Sequence, residues 1–130
     1  MSSKDFKFFQ IENQIMEGKE MLNNCPQNVK DILAGHFQSL DIFYAYTYSI
    51  GIRQYSKYCR TKEFDTIESN RLSDYLCKIG IDEFIADDLI SSIIGDYDEQ
   101  RLEKDLRLSL GEDWREQIAA VEEMINSDLQ

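Results

Sequence analysis

Apolar positions recur at three- and four-residue intervals along most of this chain, which predicts amphipathic helices. The first stripe predicts a helix that begins near Ser3. Pro26 favours a new helix, because proline is tolerated at the first helical position, where its missing N–H has no intrahelical partner. A stripe over residues 29–58 then predicts one long helix or two, with Gly35 or Gly51 as the interruption. The first stripe consists of Phe8, Ile11, Ile15 and Leu22.

The segment from Asp41 to Ile52 permits two interpretations. Tyr44, Tyr46 and Tyr48 alternate along it, and aromatic residues favour strands. A helix is preferred, because the helical stripe continues on both sides and no turn pair such as Asn-Gly supplies a hairpin partner. A strand is the alternative.

Helix boundaries are marked more clearly in the second half. Three Asp-x-x-Glu segments, at residues 65–68, 96–99 and 113–116, place side-chain oxygens where the first N–H groups of a helix need acceptors. Glycine can adopt the left-handed conformation that ends a helix, and the matching stops are Gly80, Gly95 and Gly111. The predicted helices therefore span about 66–79, 83–94, 97–110 and 114–128.

These elements predict an all-α fold, a compact single-domain bundle or array of about six to seven short helices over residues 1–130. The odd number of cysteines has no CxxC spacing and the first residues carry no secretion signal, so reduced thiols and a cytoplasmic location are expected. No apolar run approaches the roughly 20 residues that span a bilayer. The cysteines are Cys25, Cys59 and Cys77.

The charges divide unevenly between a near-neutral first half and a strongly acidic second half. Residues 1–60 carry six acids and seven bases, a net charge of +1, whereas residues 61–130 carry nineteen acids and seven bases, a net charge of −12. Affinity for a phosphate backbone comes from Lys and Arg, so direct nucleic-acid binding is disfavoured. An acidic surface steers cationic partners toward itself, and the predicted partner is a basic protein.

Motifs for catalysis, cofactors or metals are missing from the sequence. His36 is the only histidine and shares an apolar stripe with Leu33 and Leu40, so a buried or half-buried structural role is expected. One histidine and three scattered cysteines supply no zinc spacing, and no glycine-rich phosphate loop occurs. Paired carboxylates are too abundant to single out an acid and a base. We therefore expect no enzyme, no cofactor and no metal site.

Two groups of residues are the candidate partner-binding site. Six acids lie within seventeen residues, across one predicted helix and its ends, so that their charges can converge on one edge. Tyrosines at alternating positions cannot all face one helical stripe, so Tyr46 or Tyr48 is expected off the core face, where tyrosine often anchors an interface. The alternative, and the commoner role of tyrosine, is packing in the core. The acids are Asp82, Glu83, Asp87, Asp88, Asp96 and Asp98.

The segments YLCKIGIDEF and KDLRLSLGEDWREQI resemble parts of the five-helix sterile alpha motif, over residues 70–130. That resemblance implies protein association and not catalysis. The positions that carry it are helix-end residues of a kind that many helical proteins share, so it does not assign a family. They are Leu76, Ile79, Gly80, Asp105, Leu106, Leu110 and Gly111.

Size and charge together favour a non-enzymatic inhibitor of a basic protein, such as an immunity protein that neutralises a bacterial nuclease toxin. A nuclease must carry a cationic substrate site, which acidic side chains can occupy. Two alternatives stay open. A helical adaptor or oligomerisation module would show an exposed apolar patch and self-association. A small carboxylate-dependent hydrolase or transferase would bring two acids with perturbed protonation into one concave pocket.

Overall fold

The computed structural model describes residues 18–95 and 102–129, and all regular structure within them is helical. The all-α fold class is confirmed. The first helix, α1, is described over residues 18–24, so its predicted start near Ser3 lies outside the described residues, as does the predicted start at residues 96–99. The other helices are α2 (Gln27–Phe37), α3 (Leu40–Thr61), α4 (Ile67–Lys78), α5 (Glu83–Gly95), α6 (Leu102–Leu110) and α7 (Trp114–Asp128).

The longest helix, α3, is the centre of the fold and packs against α2, α4, α5, α6 and α7. A helix that is surrounded by others is apolar on every side, which explains why the segment from Asp41 to Ile52 lacks a clear polar face. The preference for helix over strand in this segment is confirmed. Its buried residues are Ile42, Phe43, Ala45, Tyr46, Thr47, Tyr48, Ser49, Ile50, Gly51 and Ile52.

The stripe over residues 29–58 forms two helices, and the break lies at neither predicted glycine. Gln38 ends α2 with a φ of 72°, and the Ser39 hydroxyl accepts a hydrogen bond from the Ile42 N–H at 3.1 Å. Serine at this position stabilises the new helix start. Gly35 and Gly51 both lie inside helices.

Gly51 of α3 lies directly against the backbone of α5. A Cβ atom at this position would lie 2.9 Å from the carbonyl oxygen of Ile94 and 3.0 Å from its Cα. Real Cβ atoms do not approach backbone that closely, so glycine is what allows the two helices to pack.

The predicted glycine stops are right at two of three positions. Gly80 and Gly111 have φ angles of +105° and +95°, in the left-handed region that ends the preceding helix. Gly95 is the last residue of α5 and does not adopt that region. The prediction of a left-handed stop at Gly95 is therefore wrong.

The two described Asp-x-x-Glu segments do begin helices, but not as reciprocal capping boxes. Asp65 Oδ1 accepts a hydrogen bond from the Ile67 N–H at 3.0 Å, whereas Glu68 forms an ion pair with Arg53 at 2.8 Å. Asp113 stands at the start of α7, yet its carboxylate accepts from the side chain of Gln117 and caps no backbone group. Asp65 therefore caps its helix alone, whereas Glu68 and Asp113 bond to side chains instead of to backbone N–H groups.

The apolar stripes of α4, α5 and α7 face α3 and complete the core, as the periodicity predicts. Full burial of each such side chain contributes about 1.5 to 3 kcal/mol. None of the helices in the described part of the chain is both long and apolar enough to cross a membrane. The buried residues of these stripes are Leu72, Tyr75, Leu76, Leu89, Ile90, Ile93, Trp114, Ile118, Val121 and Ile125.

Candidate protein-binding surface

The start of α5 carries two of the predicted acids in distinct roles. The carboxylate of Asp82 accepts hydrogen bonds from the N–H groups of Phe84 at 3.0 Å and Ile85 at 3.3 Å, so Asp82 caps the helix. Glu83 follows in the first turn and is exposed. Negative charge is favoured at this end of a helix, because the peptide dipoles leave it partly positive.

The exposed thiol of Cys77 on α4 shows where acids from two helices meet. Partial desolvation raises the pKa of Cys77, and the charges of Glu83, Asp87, Asp74 and Asp82 raise it further. Four carboxylates therefore lie within electrostatic reach of one sulfur atom. We call these four acids the acidic face. Asp74 is not among the predicted site residues, because only the packing of α4 on α5 brings it close to the other three.

Asp87 and Asp88 point in different directions, although both are exposed. Asp87 Oδ1 accepts a hydrogen bond from the Ser73 hydroxyl at 2.7 Å and belongs to the acidic face. Asp88 lies 100° further round the helix and lines a groove beside α1. The predicted group of six acids is thus divided, while Asp96 and Asp98 lie outside the described residues.

Tyr46 and Tyr48 both lie in the core, each with an exposed fraction of 4%. The prediction that one of them lies off the core face is wrong, because α3 packs against several helices and both positions face them. Burial, followed by the charge of Glu122, raises the pKa of Tyr46 to about 12. Neither side chain offers a partner an accessible surface.

An aromatic patch that the sequence analysis missed lies beyond these residues, where α3 ends. The rings of Tyr58 and Phe64 stack with centroids 4.5 Å apart, and the ammonium of Lys62 lies 5.8 Å above the Tyr58 ring. Phe64 is 66% exposed, and Ile67, the first residue of α4, is 64% exposed. The sequence does contain a signal for this patch, since Phe64 stands between Glu63 and Asp65 just after α3. A search for helical periodicity does not detect such an isolated residue.

A groove of about 400 Å³ lies where α1 and the turn into α2 meet α5. Burial raises the pKa of the Cys25 thiol in this groove, and the charge of Lys30 opposes that rise. Helices α1 and α5 also make a direct contact here, because the Ser92 hydroxyl of α5 donates a hydrogen bond to the sulfur of Met21 on α1 at 3.5 Å. The groove is lined by Glu20, Met21, Asn24, Cys25, Pro26, Ile85, Asp88 and Leu89.

His36 is exposed, in contrast to the buried or half-buried position expected. The buried stripe of α2 is narrow and consists of Val29, Leu33 and Phe37. His36 therefore lies at the edge of this stripe, where it remains exposed. His36 Nδ1 is 3.5 Å from the hydroxyl of Tyr75, and the two rings meet edge to face. In residues 18–95 and 102–129, no three His, Cys, Asp or Glu side chains are grouped so as to hold a metal ion.

The thiols in the groove and on the acidic face are poorly suited to nucleophilic catalysis. The reactive species is the thiolate, and the raised pKa values of Cys25 and Cys77 keep both groups protonated near neutral pH. The chemistry that these surfaces support is recognition by charge and by apolar contact.

No protein-family model, curated protein or solved structure matches this chain. The resemblance to the sterile alpha motif therefore gains no support from relatives. Function must be argued from the surfaces described above.

Proposed function

We propose that this protein is a non-enzymatic inhibitor that binds a basic protein through the acidic face, as an immunity protein binds a nuclease toxin. The observation that carries this proposal is that four carboxylates, one on α4 and three on α5 and its cap, lie within electrostatic reach of the Cys77 thiol. Residues 61–130, which include this face, carry a net charge of −12, and that charge adds to the attraction of a cationic partner. A protein with a cationic substrate site is its natural complement.

Charge alone gives speed and specificity more than affinity, because desolvation of the charges offsets much of their attraction. Phe84 supplies the missing apolar contact. It follows Asp82 and Glu83 directly and is 77% exposed. A large exposed side chain of this kind can enter a pocket on the partner, and a few such buried anchors carry most of the binding energy of an interface.

The proposal is tested with a charge reversal and a matched control. The test variant carries Asp74→Lys, Glu83→Lys and Asp87→Lys; it leaves the capping residue Asp82 unchanged. The control variant makes three reversals on α7, which is distant in sequence and also has an acid in its first turn. Both variants change the net charge equally. The control substitutions are Glu116→Lys, Glu122→Lys and Glu123→Lys.

Each protein is immobilised and used to capture partners from lysate of the native cell, at low and at high salt. We expect a basic protein that binds the wild type and the α7 control at low salt, is lost at high salt, and is absent with the acidic-face reversal. The wild type should inhibit the nuclease activity of the captured protein. Capture that is equal for the two variants, or unchanged by salt, contradicts the proposal.

The aromatic patch favours a second candidate, a helical adaptor or oligomerisation module. Tyr58, Phe64 and Ile67 expose apolar surface next to one another in the chain, as such a module requires. Analytical ultracentrifugation at increasing protein concentration separates this candidate from the first. Self-association that resists salt and is abolished by Phe64→Ser supports the module; a monomer at all concentrations rules out oligomerisation through this patch.

A further inference from the structure

The groove beside α1 combines apolar walls with carboxylates from two helices. Met21 of α1, and Ile85 and Leu89 of α5, provide apolar lining. Glu20 of α1 and Asp88 of α5 provide the charge. Pockets for drug-sized ligands have volumes of about 300 to 1,000 Å³. A groove of about 400 Å³ is therefore sized for one long side chain and not for a large cofactor.

The electrostatics of the groove favour a cationic occupant. Among the ion pairs within the described residues, none involves Glu20 or Asp88. The charge of Lys30 is felt at Cys25, so one cation on α2 acts against the two carboxylates. The balance is negative, and a partner's cation can gain contacts without displacing an existing ion pair.

We infer that this groove binds an arginine side chain of the basic partner. The aliphatic stem of arginine covers the half-buried side chains of Met21 and Ile85, while the guanidinium donates to Glu20 and Asp88. This inference rests on the proposed function, since it names the side chain through which the partner is held. Asp88 of the groove and Asp87 of the acidic face are consecutive residues of α5, about 100° apart around the helix axis, so one partner must reach across α5 to contact both.

Arginine fits this groove better than lysine does. A guanidinium is more weakly hydrated than an ammonium, so it loses less on entering an apolar groove. Its five N–H donors have a fixed planar arrangement that can serve two carboxylates at once. An ammonium concentrates its charge at one hydrated point, and we therefore expect it to bind more weakly.

Cys25 makes the inference testable, because its thiol lines the groove. The probe is acetyl-arginine amide at millimolar concentration, and the readout is the rate of alkylation of each cysteine by N-ethylmaleimide, measured by mass spectrometry. We expect the rate at Cys25 to fall several-fold, with Cys59 on α3 unchanged as the internal control. Acetyl-citrulline amide, which has the same shape without the charge, should protect no cysteine.

Two double variants that remove charge distinguish binding in the groove from a general attraction of the probe to acidic residues. Glu20→Gln with Asp88→Asn should abolish the protection of Cys25, whereas Asp74→Asn with Glu83→Gln should preserve it. Equal protection of Cys25 and Cys77 would show attraction to negative charge only and would overturn the inference. Equal protection by acetyl-lysine amide would overturn the assignment to arginine.

Partner binding distinguishes a failure of this inference from a failure of the proposed function. The groove variant Glu20→Gln with Asp88→Asn should weaken partner binding by about a hundredfold, because each of the two lost charge-assisted hydrogen bonds is worth roughly tenfold. If the groove variant binds normally and the acidic-face reversal does not, the groove inference fails and the proposed function stands. If both variants bind normally, the proposed function fails.

Discussion

At the residue scale, two glycines in neighbouring helices are under opposite constraints. Gly35 on α2 has open space where a Cβ would lie, while Gly51 on α3 faces the backbone of Ile94. Helix propensity favours alanine over glycine at both positions. What differs is the cost of adding one methyl group.

We therefore expect Gly35→Ala to raise the free energy of unfolding by about 0.5 to 1 kcal/mol. Gly51→Ala should lower it, because α3 and α5 must separate, and overpacking of this kind costs about 1 to 3 kcal/mol. Urea denaturation of the two variants in parallel measures both effects. An unchanged or raised stability for Gly51→Ala would contradict the close approach of the two helices.

The buried phenol of Tyr46 makes stability depend on pH in the alkaline range. The pKa of Tyr46 is about 12 in the folded protein, and the ordinary value is 10. The unfolded chain therefore loses this proton first, so the stabilisation is complete below pH 10 and is lost as the pH rises toward 12. We expect the wild type to lose roughly 2 to 3 kcal/mol through this group.

Thermal unfolding of Tyr46→Phe over the same pH range measures this loss. The variant should lose less stability than the wild type between neutral and strongly alkaline pH. Tyr58→Phe, which removes a phenol from the surface, is the control and should follow the wild-type profile. A Tyr46→Phe profile parallel to that of the wild type would place the phenol in contact with solvent.

At the element scale, the starts of α3, α5 and α7 differ in the hydrogen bonds that the residue before the helix makes. Ser39 and Asp82 accept hydrogen bonds from backbone N–H groups at the starts of α3 and α5. Asp113 stands at the start of α7 without capping a backbone group. The same side-chain truncation should therefore have different costs at these three positions.

We expect Ser39→Ala and Asp82→Ala each to reduce the free energy of unfolding by about 1 kcal/mol, the usual value of a cap. Asp113→Ala loses only a side-chain pair with Gln117 and should cost about 0.2 to 0.5 kcal/mol. Denaturant midpoints at neutral pH compare the three variants directly. Equal losses at all three starts would mean that Asp113 caps α7 in solution.

Most helices were predictable from the sequence, because their ends are determined locally. The left-handed φ angles at Gly80 and Gly111 follow from the residue type, and the apolar stripes between them follow from periodicity. The start of α3 had a local signal as well, since Ser39 is a favoured cap residue. The glycines at positions 35 and 51 give the more familiar signal for a helix end, and that signal is misleading here because both lie inside helices.

The candidate site was much less predictable, because it depends on how the helices pack. Asp74 joins the acidic face only through the contact of α4 with α5, and the separation of Asp87 from Asp88 depends on which neighbour each one meets. The burial of Tyr46 likewise requires knowing that α3 is central. The spacing of residues along one helix does not show which residues of another helix they will meet.

At the scale of the whole molecule, one helix connects the others. Because α2, α4, α5, α6 and α7 all pack on α3, removal of a core contact in one of them should weaken the entire fold. A small domain with one shared core unfolds in a single cooperative transition. The prediction of a single domain can be tested in this way.

Trp114 on α7 is the only tryptophan, so its fluorescence reports on α7 while circular dichroism reports on all helices. We expect coincident urea midpoints for the two signals. Leu33 on α2 is fully buried, and Leu33→Ala should lower the stability by about 2 to 5 kcal/mol. Since α2 and α7 are linked through α3, both midpoints should shift together. A fluorescence midpoint that stays in place while the helical signal shifts would divide the chain into two independently folding parts.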